Sequence, residues 1–185
     1  MPLTRDEDIA DLLQTARTIA MVGASDRPDR ASYGVMKFLQ DQGYRVYPIN
    51  PTITGEHVLG EYVWRELSQI GEPIDIVDIF RNSAEAGAAV DQAIAVGAKA
   101  VWMQLGVIDE AAAARAEAAG LKVVMDHCPK IEIARLNIPP VPGRIKPTPP
   151  SFRGPTRSGC RPRGGRRGRW PVLAMKTFRS GWRRW

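Results

Sequence analysis

The chain has 185 residues, of which 44% are hydrophobic and 25% are charged, so it is long enough and apolar enough for one globular domain. Its net charge of +6 conceals an asymmetry, because residues 144–185 hold thirteen of the 26 basic residues and none of the 20 acidic ones. We therefore expect an acidic domain over residues 1–143 and a basic tail over residues 144–185.

The cysteines and the lengths of the apolar runs indicate the cellular compartment. Cys128 and Cys160 lie far apart in the chain, and His127 is the one histidine close to either, which predicts neither a disulfide framework nor a zinc site and favours a reducing cytoplasm. The acidic N-terminus lacks the apolar segment of a signal peptide. Since no apolar run approaches the roughly 20 residues that span a bilayer, we expect no membrane contact.

The first half of the chain alternates between helical and strand patterns. A helix is predicted over residues 5–16, capped by Thr4, and an apolar strand over residues 18–22. A second helix, with Ser32 as its N-cap, ends at Gly43 and is followed by a strand over residues 45–49. Residues 52–61 read as a loop and residues 63–70 as a short helix.

The second half repeats this alternation. Strands are predicted over residues 75–80, 100–104 and 121–125, and helices over residues 83–96, 110–119 and 130–136, with Asp109 as an N-cap. Such alternation requires right-handed crossovers and a parallel sheet. The predicted fold is a doubly wound, Rossmann-like α/β domain with a five-stranded parallel sheet over roughly residues 5–138.

Ligands of such sheets bind outside the carboxyl ends of the strands, where the strand order reverses. Four segments directly follow predicted strands: Gly23 to Ser25, Asn50 with Pro51, Phe80 to Asn82, and Gln104 to Gly106. The first is a glycine turn that leads into a helix, and a helix start offers unpaired N–H groups and a favourable dipole to an anion. The sequence therefore predicts a phosphate-binding loop at Gly23.

Two common nucleotide sites are disfavoured. The Gly23 loop has only one early glycine, so the dinucleotide fingerprint is incomplete, and no Gly-Lys-Ser/Thr run indicates a P-loop. An acid normally follows the second strand to bind the ribose of NAD, whereas this chain has Asn50. Arg27 and Arg30 suit a ligand that carries more phosphate than NAD does.

The same residues can also be explained by structural roles that involve no ligand. The glycine turn can serve backbone geometry alone, and the two arginines can be solvated charges. Asn50 and Pro51 can simply end a strand, and Arg81 can pair with Asp75 or Asp78.

Six short segments occur in a characteristic order. They are residues 22–25 (Val-Gly-Ala-Ser) with Arg30, Ser32 and Tyr33, residues 47–51 (Tyr-Pro-Ile-Asn-Pro), residues 55–61, residues 75–81 (Asp-Ile-Val-Asp-Ile-Phe-Arg), residues 102–106 (Trp-Met-Gln-Leu-Gly) and residues 125–128 (Met-Asp-His-Cys). Together they resemble the stand-alone CoA-binding proteins, which are similar to the CoA-binding domain of the succinyl-CoA synthetase α subunit. The likeness covers about residues 5–138 and departs at His127, where arginine is expected.

The resemblance implies a site for CoA or acyl-CoA and no established reaction. It places Gly23, Ala24, Ser25 and Arg30 at the phosphates, Ser32 and Tyr33 at the helix start, Asn50 and Pro51 beside the adenosine, and Phe80, Arg81 and Gln104 in the rest of the cleft. A binding protein is favoured over a catalyst. The alternative is a small acyl-CoA-dependent transferase or an NAD(P)-linked oxidoreductase, and assembly into a homo-oligomer is possible.

One nucleophile candidate stands out, because an imidazole beside a thiol can stabilise a thiolate, and His127 precedes Cys128. A buried, inert cysteine is the favoured interpretation.

The tail is rich in arginine, glycine and proline without periodicity, which predicts disorder. Its arginines and Trp170, Trp182 and Trp185 could bind nucleic acid through phosphate contacts and stacking. The favoured interpretation is that the tail has no evolved role and results from translation past the normal end of the gene in another frame.

Overall fold

The computed structural model describes residues 2–142 of the chain. The helices are α1 (Asp6–Thr15), α2 (Ala31–Asp41), α3 (Ser83–Ala95), α4 (Glu110–Ala118) and α5 (Pro129–Arg135), and Leu67–Gln69 form a 3₁₀ turn. The strands are β1 (Thr18–Val22), β2 (Arg45–Ile49), β3 (His57–Val58), β4 (Glu61–Tyr62), β5 (Ile76–Ile79), β6 (Ala100–Met103) and β7 (Lys122–Val124). The predicted tail over residues 144–185 lies outside the described residues, so its disorder and the domain boundary stay predictions.

The central sheet confirms the predicted doubly wound topology. Its five strands are parallel in the order β2-β1-β5-β6-β7. From β1 the chain crosses to β2 on one side and then to β5 on the other, so the strand order reverses between β1 and β5. The carboxyl ends of these two strands mark the position at which such folds bind ligands.

Both faces of the sheet are covered, because consecutive strand residues point to opposite sides. Ile19 and Met21 belong to a core built with α1, α2 and α5. Ala20 and Val22 belong to a second core built with α3 and α4. Strands buried on both faces require nearly continuous apolar runs, which explains why the sequence pattern located them.

Two predicted caps are wrong. Arg30, in an extended conformation, is the N-cap of α2, so Ser32 lies inside the first turn, where it is buried. Arg5 occupies the N-cap of α1 in place of Thr4, and three acids in the first turn, Asp6, Glu7 and Asp8, compensate the helix dipole.

The segment predicted as a loop contains a short hairpin, and most of the segment predicted as a helix is not helical. Strands β3 and β4 form a hairpin around Leu59 and Gly60, which both have positive φ angles, of 49° and 82°. Two positive φ values are typical of a type I′ turn, which usually carries asparagine or glycine at its first position rather than leucine. The predicted helix over residues 63–70 reduces to the Leu67–Gln69 turn, because Trp64 is extended beside β2.

Other segments of the chain cover both edges of the sheet. At β2, Trp64 N–H donates to the Pro48 carbonyl at 2.9 Å, and Asn50 N–H donates to the Trp64 carbonyl at 3.0 Å. At β7, Leu3 N–H donates to the Val123 carbonyl at 2.7 Å.

Among residues 2–142, every helix is too short or too polar to cross a bilayer.

Gly23 lies at the closest backbone approach between β1 and β5. Its φ angle is +88°, and a Cβ atom at this position would stand 2.2 Å from the carbonyl oxygen of Phe80. Its own N–H donates to the Ile49 carbonyl at 2.9 Å, while Phe80 N–H donates to the Val22 carbonyl at 2.8 Å. Only glycine satisfies both the backbone angle and the available space.

We expect Gly23→Ala to lower the free energy of unfolding by about 3 kcal/mol or more, because a left-handed backbone penalty adds to a backbone overlap with Phe80. Gly97→Ala is the matched control, since Gly97 also has a positive φ but open space around it, and it should cost about 1 kcal/mol. Urea denaturation measures both. Equal losses would show that the contact with Phe80 is unimportant.

Candidate functional site

The loop between β1 and α2 is held in place by Asn50. The Asn50 Nδ2 donates to the Ala24 carbonyl at 2.7 Å, and its Oδ1 accepts from Thr52 N–H at 2.9 Å and from Thr52 Oγ1 at 2.8 Å. An aspartate here could not donate to Ala24. The amide of Asn50 therefore has a structural role, joining the end of β2 to the β1–α2 loop.

The N-terminus of α2 is open to an anion. Its N-cap, Arg30, makes no side-chain capping bond, and its first turn contains no acid. In contrast, Asn82 Oδ1 caps α3 at 3.0 Å from Glu85 N, and Asp109 Oδ1 caps α4 at 2.9 Å from Ala112 N. The first N–H groups and the positive dipole end of α2 consequently have no acid in the first turn to neutralise them, and Asp29, which precedes the N-cap, pairs with Arg27.

The basic residues near this loop differ in their pairing. Arg27 forms an exposed ion pair with Asp29 at 3.1 Å. Arg30 is exposed and has no ion pair with any described residue. Arg30 is thus the more available cation for a phosphate.

Arg81 does not make either of the ion pairs considered from the sequence. Asp75 binds Lys99 at 2.7 Å, and Asp78 accepts from Gln104. Arg81 lies half-buried directly beyond β5, at the carboxyl edge of the sheet.

Gln104 lies at the same edge, above a fully buried carboxyl group. Its Nε2 donates to Asp78 Oδ1 at 2.9 Å, while Asp78 Oδ2 is buried and has no hydrogen-bond partner. Burial raises the pKa of Asp78 to about 7, and the hydrogen bond from Gln104 opposes this effect. Asp78 thus exchanges its proton near neutral pH.

The remaining predicted site residues differ in exposure. Ala24 and Ser32 are buried, so only their backbone atoms could face a ligand. Tyr33 and Phe80 are partly buried against one core, and Ser25 Oγ accepts from Arg27 N–H at 3.2 Å. Pro51 is exposed beyond β2.

The fold brings part of the predicted site together. Gly23, Ala24, Asn50 and Phe80 meet around one loop through direct contacts. Gln104 lies beyond β6 and bonds to Asp78 of β5.

Cys128 has the environment of a structural thiol. It is buried, and burial raises its pKa, although the amides of Ile131 and Lys130 act in the opposite direction. The neighbouring imidazole Nδ1 of His127 lies 2.7 Å from the Met125 carbonyl. A raised thiol pKa reduces the thiolate fraction that a nucleophile needs.

Residues 17–134 match a family described as the CoA binding domain. The chain belongs to this family. It is also 40% identical over 124 residues to the uncharacterized protein YneT of Bacillus subtilis (strain 168), an alignment that covers 67% of this chain and 90% of that protein. The resemblance drawn from the sequence motifs is therefore confirmed.

Solved structures show the same fold. A hypothetical protein from Pyrococcus horikoshii OT3 is 39% identical, with a TM-score of 0.70, over 74% of this chain and 96% of the other. The dinucleotide-forming acetyl-coenzyme A synthetase 1 of Ca. Korarchaeum cryptofilum is 23% identical, with a TM-score of 0.55, over 64% of this chain and 28% of the synthetase. The second likeness concerns the fold alone.

Two acids of this edge were not singled out from the sequence as site residues. Asp78 is an acid within an otherwise apolar strand, and that contrast is visible in the sequence. Its contact with Gln104 depends on the pairing of β5 with β6. Asp126 Oδ1 accepts from Gly106 N–H at 2.7 Å and secures the loop after β6. Its φ angle of 60° depends on the turn beyond β7, which no periodicity predicts.

Asp78 gives stability a pH dependence that can be measured. Between about pH 4 and pH 7 the folded protein keeps a proton that the unfolded chain has released, so stability falls as pH rises through this window. Relative to Asp78→Asn, the wild-type protein should lose about 4 kcal/mol across it. Urea denaturation from pH 4 to pH 8 measures the difference between the two proteins.

The control for this experiment is Asp91→Asn, which removes an exposed acid on α3 that pairs with Arg115. Its stability profile should run nearly parallel to that of the wild type. A parallel profile for Asp78→Asn as well would contradict the raised pKa.

Proposed function

We propose that the chain binds coenzyme A or an acyl-CoA at the carboxyl edge of its parallel sheet, with the pyrophosphate against the β1–α2 loop. The observation that carries this proposal is the uncapped, acid-free start of α2 behind Gly23, in a chain that belongs to the CoA binding domain family. The site would comprise Gly23, Ala24, Ser25, Arg30, Ser32, Tyr33, Asn50, Pro51, Phe80, Arg81 and Gln104.

The local electrostatics favour CoA over NAD. The residue after β2 is Asn50, whose side chain already bonds to Ala24 and Thr52, so no carboxylate is available for ribose hydroxyls. The absence of that negative charge also leaves room for a 3′-phosphate. Arg30 adds a guanidinium beside the loop that pairs with no acid among residues 2–142, and guanidinium groups bind phosphates with paired hydrogen bonds.

Binding without a covalent step is the favoured activity. The one thiol considered as a nucleophile, Cys128, is buried and has a raised pKa, so its chemistry supports a packing role.

The 3′-phosphate is the group that distinguishes the ligands, and a thermal shift assay tests it directly. At equal concentration CoA should raise the melting temperature more than dephospho-CoA or NAD, because a ligand stabilises the folded state according to its affinity. Equal shifts for CoA and dephospho-CoA would exclude recognition of the 3′-phosphate. No shift with CoA would refute the proposed function.

Arg30 provides a second test at the level of one side chain. Arg30→Gln should weaken CoA binding about tenfold or more, because a charge-assisted hydrogen bond to phosphate is lost. Arg115→Gln is the matched control, since Arg115 pairs with Asp91 on the α3–α4 face. Isothermal titration calorimetry compares the two. Unchanged affinity in Arg30→Gln would remove this residue from the site.

A further inference from the structure

Asp78 and Gln104 form a pair whose two ends have different surroundings. At the buried end, Asp78 Oδ2 has no hydrogen-bond partner, although the residue is completely inaccessible to solvent. At the other end, Gln104 Oε1 has no partner among the described residues, and the residue directly follows β6 at the edge where the ligand is proposed to bind. An orphaned buried carboxyl oxygen is costly and requires an explanation.

The surroundings of Asp78 contain few other charges. Its neighbours across the sheet, Met21 and Trp102, carry no ionisable group. Among the described residues, no charged side chain of α1 or α2 is buried. From α5 come Cys128, whose thiol pKa is partly raised by Asp78, and Glu132, which is bonded to Arg135 at 2.6 Å.

The side-chain amide of glutamine can pair with either protonation state of a carboxyl group, because a half-turn exchanges the positions of its NH₂ group and its oxygen atom. An ionised carboxylate only accepts hydrogen bonds, so Gln104 must present its NH₂ group to Asp78, as the structure shows, and its Oε1 is then left for a ligand. A protonated carboxyl group donates, so the reversed amide can accept from Asp78 and present NH₂ to the cleft. In the reversed arrangement Asp78 Oδ1 carries the proton and donates it to Gln104, and Oδ2 becomes a neutral carbonyl oxygen, which costs less to bury unpaired than a charged carboxylate oxygen does.

We propose that Asp78 is a positioning residue whose proton decides whether Gln104 offers the ligand a hydrogen-bond acceptor or a donor. With Asp78 ionised, the cleft presents Oε1, which accepts from an N–H of the pantetheine arm. This inference rests on the proposed function, because it assigns Gln104 to the part of the cleft that follows the phosphate loop. The charge of Asp78 acts in the opposite direction to this hydrogen bond. Repulsion between the ionised carboxylate and the CoA phosphates would weaken CoA binding as the pH rises.

The decisive measurement is CoA affinity from pH 5.5 to pH 8.5, by calorimetry, expressed relative to Asp78→Asn. This ratio cancels the titration of the ligand's own phosphates. The wild-type protein should gain roughly two- to tenfold in relative affinity as Asp78 ionises, the range that one hydrogen bond supplies. Gln104→Met should abolish the gain, and Asp75→Asn, which alters a carboxyl group at the opposite end of the sheet, should retain it.

The free protein offers an independent readout. The side-chain ¹⁵N–¹H₂ resonances of Gln104, assigned by their loss in Gln104→Met, should shift in one step near neutral pH in the wild type. They should show no step in Asp78→Asn.

The outcomes separate the two proposals. A relative affinity that is flat or falls with pH, or a Gln104 resonance that does not titrate, would overturn the inference while leaving CoA binding intact. Failure of CoA to bind at any pH would overturn the proposed function, and the resonance would still decide whether the Asp78 proton controls the amide.

Discussion

The site depends on one close approach, that of the Gly23 backbone to the carbonyl of Phe80. Through its N–H group Gly23 also bonds to Ile49, so one residue joins the carboxyl ends of β2, β1 and β5. The strand order reverses there, which opens a crevice between connections that leave on opposite faces. Gly23 begins the loop that leads to α2, whose first turn contains no acid and whose N-cap makes no side-chain hydrogen bond.

Most of the sheet was predictable because parallel strands covered on both faces require apolar runs, and β1 and β2 were located to the residue. The β3–β4 hairpin was not predictable. Its strands are two residues long, which is too short to show an alternation of polar and apolar residues. Leu59 occupies a turn position at which asparagine or glycine is usual. Trp64 is extended because it pairs with Pro48, a contact that local sequence does not specify.

The candidate site was predictable at the level of segments, since residues that follow parallel strands must meet at one edge. The roles of individual side chains were not. The sequence is compatible with Asn50 as a ligand contact or as a strand terminator, and in the structure its side-chain amide donates to the Ala24 carbonyl. Ser32 has the side chain of a cap but is buried two positions beyond the N-cap, Arg30. Asp78 gains its partner only when β5 and β6 pair.

The covered sheet edges limit how copies of this domain can associate. Pro48 and Asn50 bond to Trp64 on one side, and Val123 bonds to Leu3 on the other, so the described part of the chain occupies hydrogen-bonding positions of both outer strands. Exposed edges are the places where sheets extend from one molecule into the next and where aggregation begins. The bonded positions of these outer strands are therefore not free to pair with a strand of another molecule, whereas side chains on the helices, such as the exposed Ile131 of α5, remain accessible.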